Sequence, residues 1–422
     1  MIRAKRVGAT AAAAILLFCS LPVSAQTALE DSIANRTGPH TKPIGMVVGP
    51  FGSFLLFPKV TLENQYTDNL FSEEADKNAD IAFVLKPSFT ISSDWDNHAV
   101  NFSATAAQAR YIDNVGENSL DYGFDLNGRL DALTKSTLSA ALVFDKKHQD
   151  RGDPDDDVAG VFESEITEFT TATIKLGGSY NEDVILVRLD IKADRLDFDD
   201  AGTTNNDDRD RLEAKTTARL GYEWVPGSTA FIETSYNIRE FDAAVDDDGF
   251  KRSSRGFEVL LGNTLDLTSV TFAELGVGFV RQTFDTQPAG ARSLGPTQGF
   301  SFKGSLVWNP TDLMTITGNL RREVRETTIT GASSAFTSSF ELKVDYGLLK
   351  ELLLSAGTKF DLETFDGIGR TDKLLKVELG GKYYIGPFFI ADVKYSYENR
   401  FADEPGGSFV NNLLIFSLTA RF

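Results

Sequence analysis

Charged and apolar residues alternate one for one through segment after segment of this chain. Near its end, Leu375, Val377, Leu379, Gly381 and Tyr383 share one face of an extended segment, and Lys376, Glu378 and Lys382 share the other. The next segment sets Phe389, Ala391, Val393, Tyr395 and Tyr397 against Asp392, Lys394, Ser396 and Glu398. Earlier, Val187, Leu189, Ile191 and Ala193 oppose Arg188, Asp190, Lys192 and Asp194, and Leu212, Ala214, Ala218 and Leu220 oppose Arg211, Glu213, Lys215 and Arg219. Arg321, Glu323 and Arg325 share a face, as do Glu341, Lys343 and Asp345. A period of two means β-strands. Arg or Lys facing lipid at mid-membrane would cost roughly 2–4 kcal/mol. In a membrane wall the charged faces must therefore look into a wet lumen.

Both ends of the chain fit that wall. Leu414, Phe416, Leu418, Ala420 and Phe422 form one apolar face of a last strand closing on an aromatic residue. Phe416, Leu418 and Phe422 are expected to be the signal read by the barrel-insertion machinery. At the other end, Arg3, Lys5 and Arg6 precede an apolar run over 11–18 and the small-residue site Val23-Ser24-Ala25. This is the pattern of a secretory signal over 1–25, too short to span a membrane. The single cysteine, Cys19, lies inside it, and Phe18 before it argues against a lipoprotein. Removing the three leader cations takes the formal charge from −19 to −22. So acidic a chain does not suit nucleic acid.

Residues 26–57 carry Gly and Pro without a period and are expected to be an irregular periplasmic lead-in. Residues 58–422 read as one up-and-down antiparallel outer-membrane β-barrel. Short turns at 94–97, 134–135, 181–183, 225–227, 267–269, 309–311, 348–350 and 386–387 alternate with polar loops at 72–78, 148–163, 199–209, 243–251, 286–296 and 402–408. Short turns at one end and long loops at the other are the barrel signature, and the runs number about eighteen strands. Trp95, Tyr180, Trp224, Trp308, Tyr346 and Tyr383 flank short turns. Tyr66, Tyr111, Phe144, Phe198, Phe241, Phe284, Phe365 and Phe401 flank long loops. Two aromatic girdles are expected at the two interfaces. The setting is the outer membrane of a Gram-negative bacterium, with its lipid and lipopolysaccharide as surroundings.

About eighteen strands at roughly 4.8 Å spacing and about 40° tilt enclose a lumen about 24 Å across once side chains are subtracted. The inner charges named above, with cross-strand ion-pair ladders among them, are the candidate pore lining. The longest loop, 148–163, is the natural suspect for narrowing it.

No catalytic set emerges. The three histidines, His40, His98 and His148, lie in the lead-in, a turn and a loop, with no Ser–His–acid convergence. No enzyme, cofactor or metal site is expected. The acidic clusters Asp153, Asp155–157, Asp207, Asp208, Asp210 and Asp246–248 lack complete calcium-loop spacing and read as solvated loops.

The first strand reads KVTLENQYTDNLF over 59–71. Tyr66, Asp68, Asn69, Leu70 and Phe71, followed by Asp80 and a second strand carrying Pro87, resemble the opening of the Putative beta-barrel porin 2 family. Ala79-Asp80 stands where Ser-Asp is more usual. The strand end Tyr222-Glu223-Trp224 is also similar to the family. The resemblance implies an outer-membrane channel for exporting a secreted polysaccharide, working with a periplasm-spanning partner. The alternatives are a diffusion porin for small solutes, from the lumen alone, and a surface-structural barrel, from the acidic loops.

Overall fold

The computed structural model describes Ile33 and residues 43–49, 53–152, 165–202, 205–268, 270–286, 294–327 and 329–422. The expected signal lies outside these residues. The strands are β1 (Met46–Val48), β2 (Phe54–Thr67), β3 (Asp80–Ser93), β4 (Ala99–Tyr111), β5 (Ser119–Leu133) and β6 (Ser136–His148). They continue with β7 (Glu168–Glu182), β8 (Ile185–Phe198), β9 (Arg211–Val225), β10 (Ser228–Phe241), β11 (Ser254–Thr268) and β12 (Thr271–Phe284). The chain then runs through β13 (Thr297–Thr311), β14 (Met314–Arg325), β15 (Ser334–Gly347), β16 (Leu352–Asp366), β17 (Thr371–Ile385), β18 (Phe389–Phe401) and β19 (Phe409–Arg421).

Each strand from β2 to β19 pairs antiparallel with the next. β19 returns to β2, from Leu413 opposite Thr67 to Arg421 opposite Lys59, closing a ring of 18 strands. Stepping from Leu62 to its register partner on each strand in turn leads back to β2 displaced by about 22 residues. That shear, with a spacing near 4.8 Å, sets a tilt of about 40° and a backbone radius of about 18 Å.

The alternation places the faces as physics requires. Val187, Leu189 and Ile191 of β8, Leu220 and Tyr222 of β9, and Phe416 and Leu418 of β19 are all exposed on the outside. The belt at the short-turn end holds, with Trp95, Tyr180, Trp224, Trp308 and Tyr383 all exposed. The belt at the long-loop end does not hold throughout. Tyr66, Phe144 and Phe401 are exposed there, but Phe198, Phe284 and Phe365 are buried. Each of these three falls on the inner parity of its strand, so it closes the mouth of the lumen instead of meeting lipid.

Three local expectations need correction. β2 begins at Phe54, and β1 pairs with its first residues, so part of the lead-in is sheet. The turn expected at 309–311 lies at 312–313, because a bulge between Trp308 and Thr311 lets β13 carry Pro310, which has no N–H to give the ladder. The loop-rich end also bears connections at 112–118, 326–333 and 367–370 that polarity alone did not mark. The lead-in touches the other end of the barrel. The Ile33 amide donates to Thr315 Oγ1 (2.8 Å), and its side chain packs with Leu353 and Tyr384.

Candidate functional site

The charges singled out in sequence lie on the parity opposite the exposed apolar belt. Their pairing differs from the expected cross-strand ladders. Register sets like against like: Arg188 faces Arg219, Lys192 faces Lys215, and Asp194 faces Glu213. Five cations instead find an anion two residues along their own strand. Arg188 meets Asp190 (2.6 Å), Lys192 meets Asp194 (2.7 Å), Arg211 meets Glu213 (2.7 Å), Arg321 meets Glu323 (2.7 Å) and Lys343 meets Asp345 (3.0 Å). The i,i+2 pairs offset the repulsion between like charges directly opposite. The β17–β18 corner follows the expected scheme, as does Arg219, which stands in register with Glu233 of β10. At that corner Lys394 pairs with Glu378 (2.7 Å), Lys376 with Glu398 (3.3 Å), and Lys382 stands in register with Asp392. Glu341 accepts a bond from Asn319 Nδ2 (3.4 Å).

A second set of pairs includes several between strands that are not neighbours, which only bonds through the interior can make. The Arg219 guanidinium on β9 donates to Glu233 on β10 (2.7 Å) and by two nitrogens to Glu274 on β12 (2.8 Å each). It lies 4.0 Å over the Phe231 ring. That ring rests on Gly262 and Gly276, where added Cβ atoms would come within 2.4 and 3.3 Å of it. Lys303 on β13 reaches Glu233 (2.6 Å) and Glu274 (3.5 Å). Lys215 approaches Glu258 on β11 (3.9 Å) and Arg325 approaches Glu363 on β16 (3.5 Å). Glu233, Glu274 and Lys303 were missed in sequence. The cue was Glu274, the one carboxylate of β12, standing among apolar residues and glycines.

The wall also folds in on itself. The β13–β14 ladder extends from the turn only to Lys303 and Arg321, although β13 continues to Thr297 and β14 to Arg325. Beyond that point the β14–β15 hairpin tucks inside. Val324 and Phe336 stand on the parity that faces lipid lower down. Here they form a buried cluster with Val280 on the inner face of β12. Phe336 lies over Gly299, where a Cβ would come within 3.3 Å of the ring. Ser334 Oγ and Thr297 Oγ1 hydrogen-bond at 2.7 Å, and Ser301 Oγ donates to the Arg322 carbonyl (3.1 Å). Two arginines anchor the tip. Arg239 donates to Glu326 and to the Val324 carbonyl (2.9 Å). Arg252 donates to the Thr327 carbonyl (2.8 Å), the Ala332 carbonyl (2.6 Å) and Asp246 (2.6 Å).

The sequence carries the cause. Arg321-Arg322-Glu323 puts charge on both faces of β14, and a lipid-facing Arg322 would cost roughly 2–4 kcal/mol. Turning that face under places its guanidinium 4.5 Å over the Phe336 ring instead.

Between the infolded hairpin and the wall from β6 to β10 lies a cavity of about 600 Å³. The loop suspected of narrowing the pore lies, from 153 to 163, outside the described residues. Its base crosses the mouth: Arg151 binds Glu117 (2.7 Å), and Arg400 of β18 donates to the Gly152 carbonyl. At the rim, burial and then the neighbouring Asp197 charge push the Asp210 carboxyl up to about 6. Asp246, in one of the acidic clusters, is occupied by Arg252 and by the Phe250 amide (2.7 Å). Among the described residues no group of three acidic, His or Cys side chains is placed to hold a metal ion.

A closed 18-strand barrel, apolar outside and charged within, is a porin-like barrel of outer-membrane type. The chain belongs to the Putative beta-barrel porin 2 family, whose model matches residues 39–422. Among curated proteins there is no match. Among solved structures it is similar to the outer membrane protein OpdK of Pseudomonas aeruginosa, at 14% identity over 87% of this chain and 99% of that one, with a TM-score of 0.46. It is similar to OpdO of the same organism, at 15% identity over 87% and 97%, with a TM-score of 0.45. It is also similar to a mutant of the ferric enterobactin receptor PfeA of that organism, at 7% identity over 87% and 80%, with a TM-score of 0.46.

Proposed function

We propose that the protein is a diffusion channel for small polar solutes in the outer membrane of a Gram-negative bacterium. The observation that carries this reading is the inner face of the closed wall. Charges of both signs line it, and ion pairs such as Arg219–Glu274 and Lys303–Glu233 reach between non-neighbouring strands. These struts and the infolded hairpin take up space that an empty ring of this radius would leave to a polymer. Water and small solutes retain polar surface to move along. Export of a polysaccharide, the expectation from the family resemblance, gains no support from the fold, the family model or the neighbours. The diffusion reading fits them better.

The test is reconstitution of the full chain in planar bilayers and in liposomes. Discrete ohmic steps are expected, with liposome swelling faster in monosaccharides than in trisaccharides. Absence of both would refute the channel. In the parent bacterium, loss of the gene is expected to slow small-solute uptake and leave secreted polysaccharide unchanged. The opposite outcome would restore the export reading.

A further inference from the structure

We propose that the cavity between the infolded hairpin and β6–β10 is a binding subsite for a small organic monoanion with an apolar body. The proposal rests on the channel reading above and names the solute class that the channel favours.

A volume of about 600 Å³ is within the range of small-molecule sites. One side of the cavity is apolar. Phe169 and Phe198 stack with centroids 5.3 Å apart and 25° between planes, with Leu196 beside them and Val324 on the hairpin opposite. The cations are Lys147, Arg209, Arg211, Arg239 and Arg325, against the carboxylates Asp150, Glu213, Glu323 and Glu326. In a chain of formal charge −19, five cations against four carboxylates give this cavity a small cationic excess.

Donor capacity favours an anion further. Each guanidinium carries five N–H donors, more than one carboxylate can accept, so an ion-paired arginine still has donors to offer. Glu213, by contrast, already receives a bond from Arg211 and lies 4.0 Å from Arg239. Arg209 lies 4.1 Å over the Phe198 ring, with Nη2 on Gln149 (2.8 Å), which joins the aromatic surface to the cationic one. A carboxylate on a ring or branched aliphatic body matches both surfaces. Hydrated inorganic anions match one, and organic cations match only the other.

The test uses the full chain in detergent for calorimetry and in bilayers for current, with benzoate, acetate and benzylammonium as probes. Benzoate is expected to bind at least about tenfold more tightly than either other probe, and to interrupt the current at matching concentrations. Arg325→Gln and Lys147→Gln should each weaken benzoate by about three- to tenfold, and Glu323→Gln should strengthen it by a similar factor. Phe169→Ala should bring benzoate close to acetate. Lys350→Gln, in a short turn remote from the cavity, should change nothing. Lys147 is half exposed at the mouth, so its variant tests the site even where an arginine variant fails to fold. Equal binding of benzoate and benzylammonium, or indifference to these charges, would overturn the proposal. Calorimetric benzoate binding without any bilayer current would support the subsite and refute the channel reading, so the two failures are separable.

Discussion

Replacing Arg252 with alanine should loosen the infolded hairpin without dissolving the barrel. Its side chain is 1% exposed and joins Asp246 to the Thr327 and Ala332 carbonyls at 2.6–2.8 Å. Alanine would leave the Asp246 carboxylate, itself 2% exposed, without this partner, together with two carbonyl groups. Breaking a buried ion pair costs about 3–5 kcal/mol. The tip can recover part of that by moving into water. The remaining anchors include Arg239 on Glu326, Ser334 on Thr297 (2.7 Å) and Thr330 on Asp248 (2.5 Å). A bias of about 3 kcal/mol toward release lowers the ratio of tucked to released hairpin about a hundredfold. In planar bilayers the variant should show larger conductance steps and more open-state noise. A disulfide between Ser334→Cys and Thr297→Cys should restore the parental trace when oxidised and lose the effect when reduced. Unchanged conductance and noise in a variant that remains heat-modifiable would show that the hairpin does not narrow the path.

Arg219→Ala leaves Glu233 and Glu274 with Lys303 as the cation they share, and should lower the midpoint of heat-modifiability by the equivalent of about 3 kcal/mol, with Arg219→Lys recovering only part because the two-nitrogen contact to Glu274 is lost. Replacing Phe422 with Asp should reduce the heat-modifiable barrel in membranes. That side chain is exposed beside Phe388 (5.5 Å), and unchanged yield would make it an ordinary belt residue. The Asp210 carboxyl is raised from 3.8 to about 6, so the folded rim holds this proton more tightly than the unfolded chain does. Rim stability should be highest below about pH 4 and fall as pH rises to about 6, seen as faster hydrogen exchange over 205–210. Asp210→Asn should flatten that profile, and a profile unmoved by it would refute the assignment. Single cysteines at Asp207 and Asp247 should label in intact cells with an impermeant reagent, and labelling only after the outer membrane is breached would invert the topology.

Strand parity and turn spacing made the barrel legible, because a lipid-facing wall punishes any break in alternation. Where alternation did break, the sequence was already reporting the exception. Arg322 beside Arg321 marked the hairpin that could not stay in the wall, and the isolated Glu274 marked a strut. Ion-pair partners were less legible. Lys192 could have met a carboxylate on a neighbouring strand or two residues along its own, and only the register, which sets Lys215 opposite, decides between them. The aromatic residues near long loops misled for a related reason. Phe198 and Phe365 have the composition of belt residues, and their inward placement rests on a parity that must be counted along the whole strand.

The early end of the β13–β14 ladder has a consequence for how such a wall can vary. A cylinder sealed by hydrogen bonds along its full height has one calibre, fixed by strand number and shear. Here that holds only at the short-turn end. Above Lys303 and Arg321 the sheet overlaps itself, as a rolled page does, and the opening is set by how far the hairpin slides across β12 and β13. Side chains such as Val324, Phe336 and Arg252 set that overlap. Substitutions at a few positions can therefore widen or narrow the mouth while the lower ring keeps its geometry.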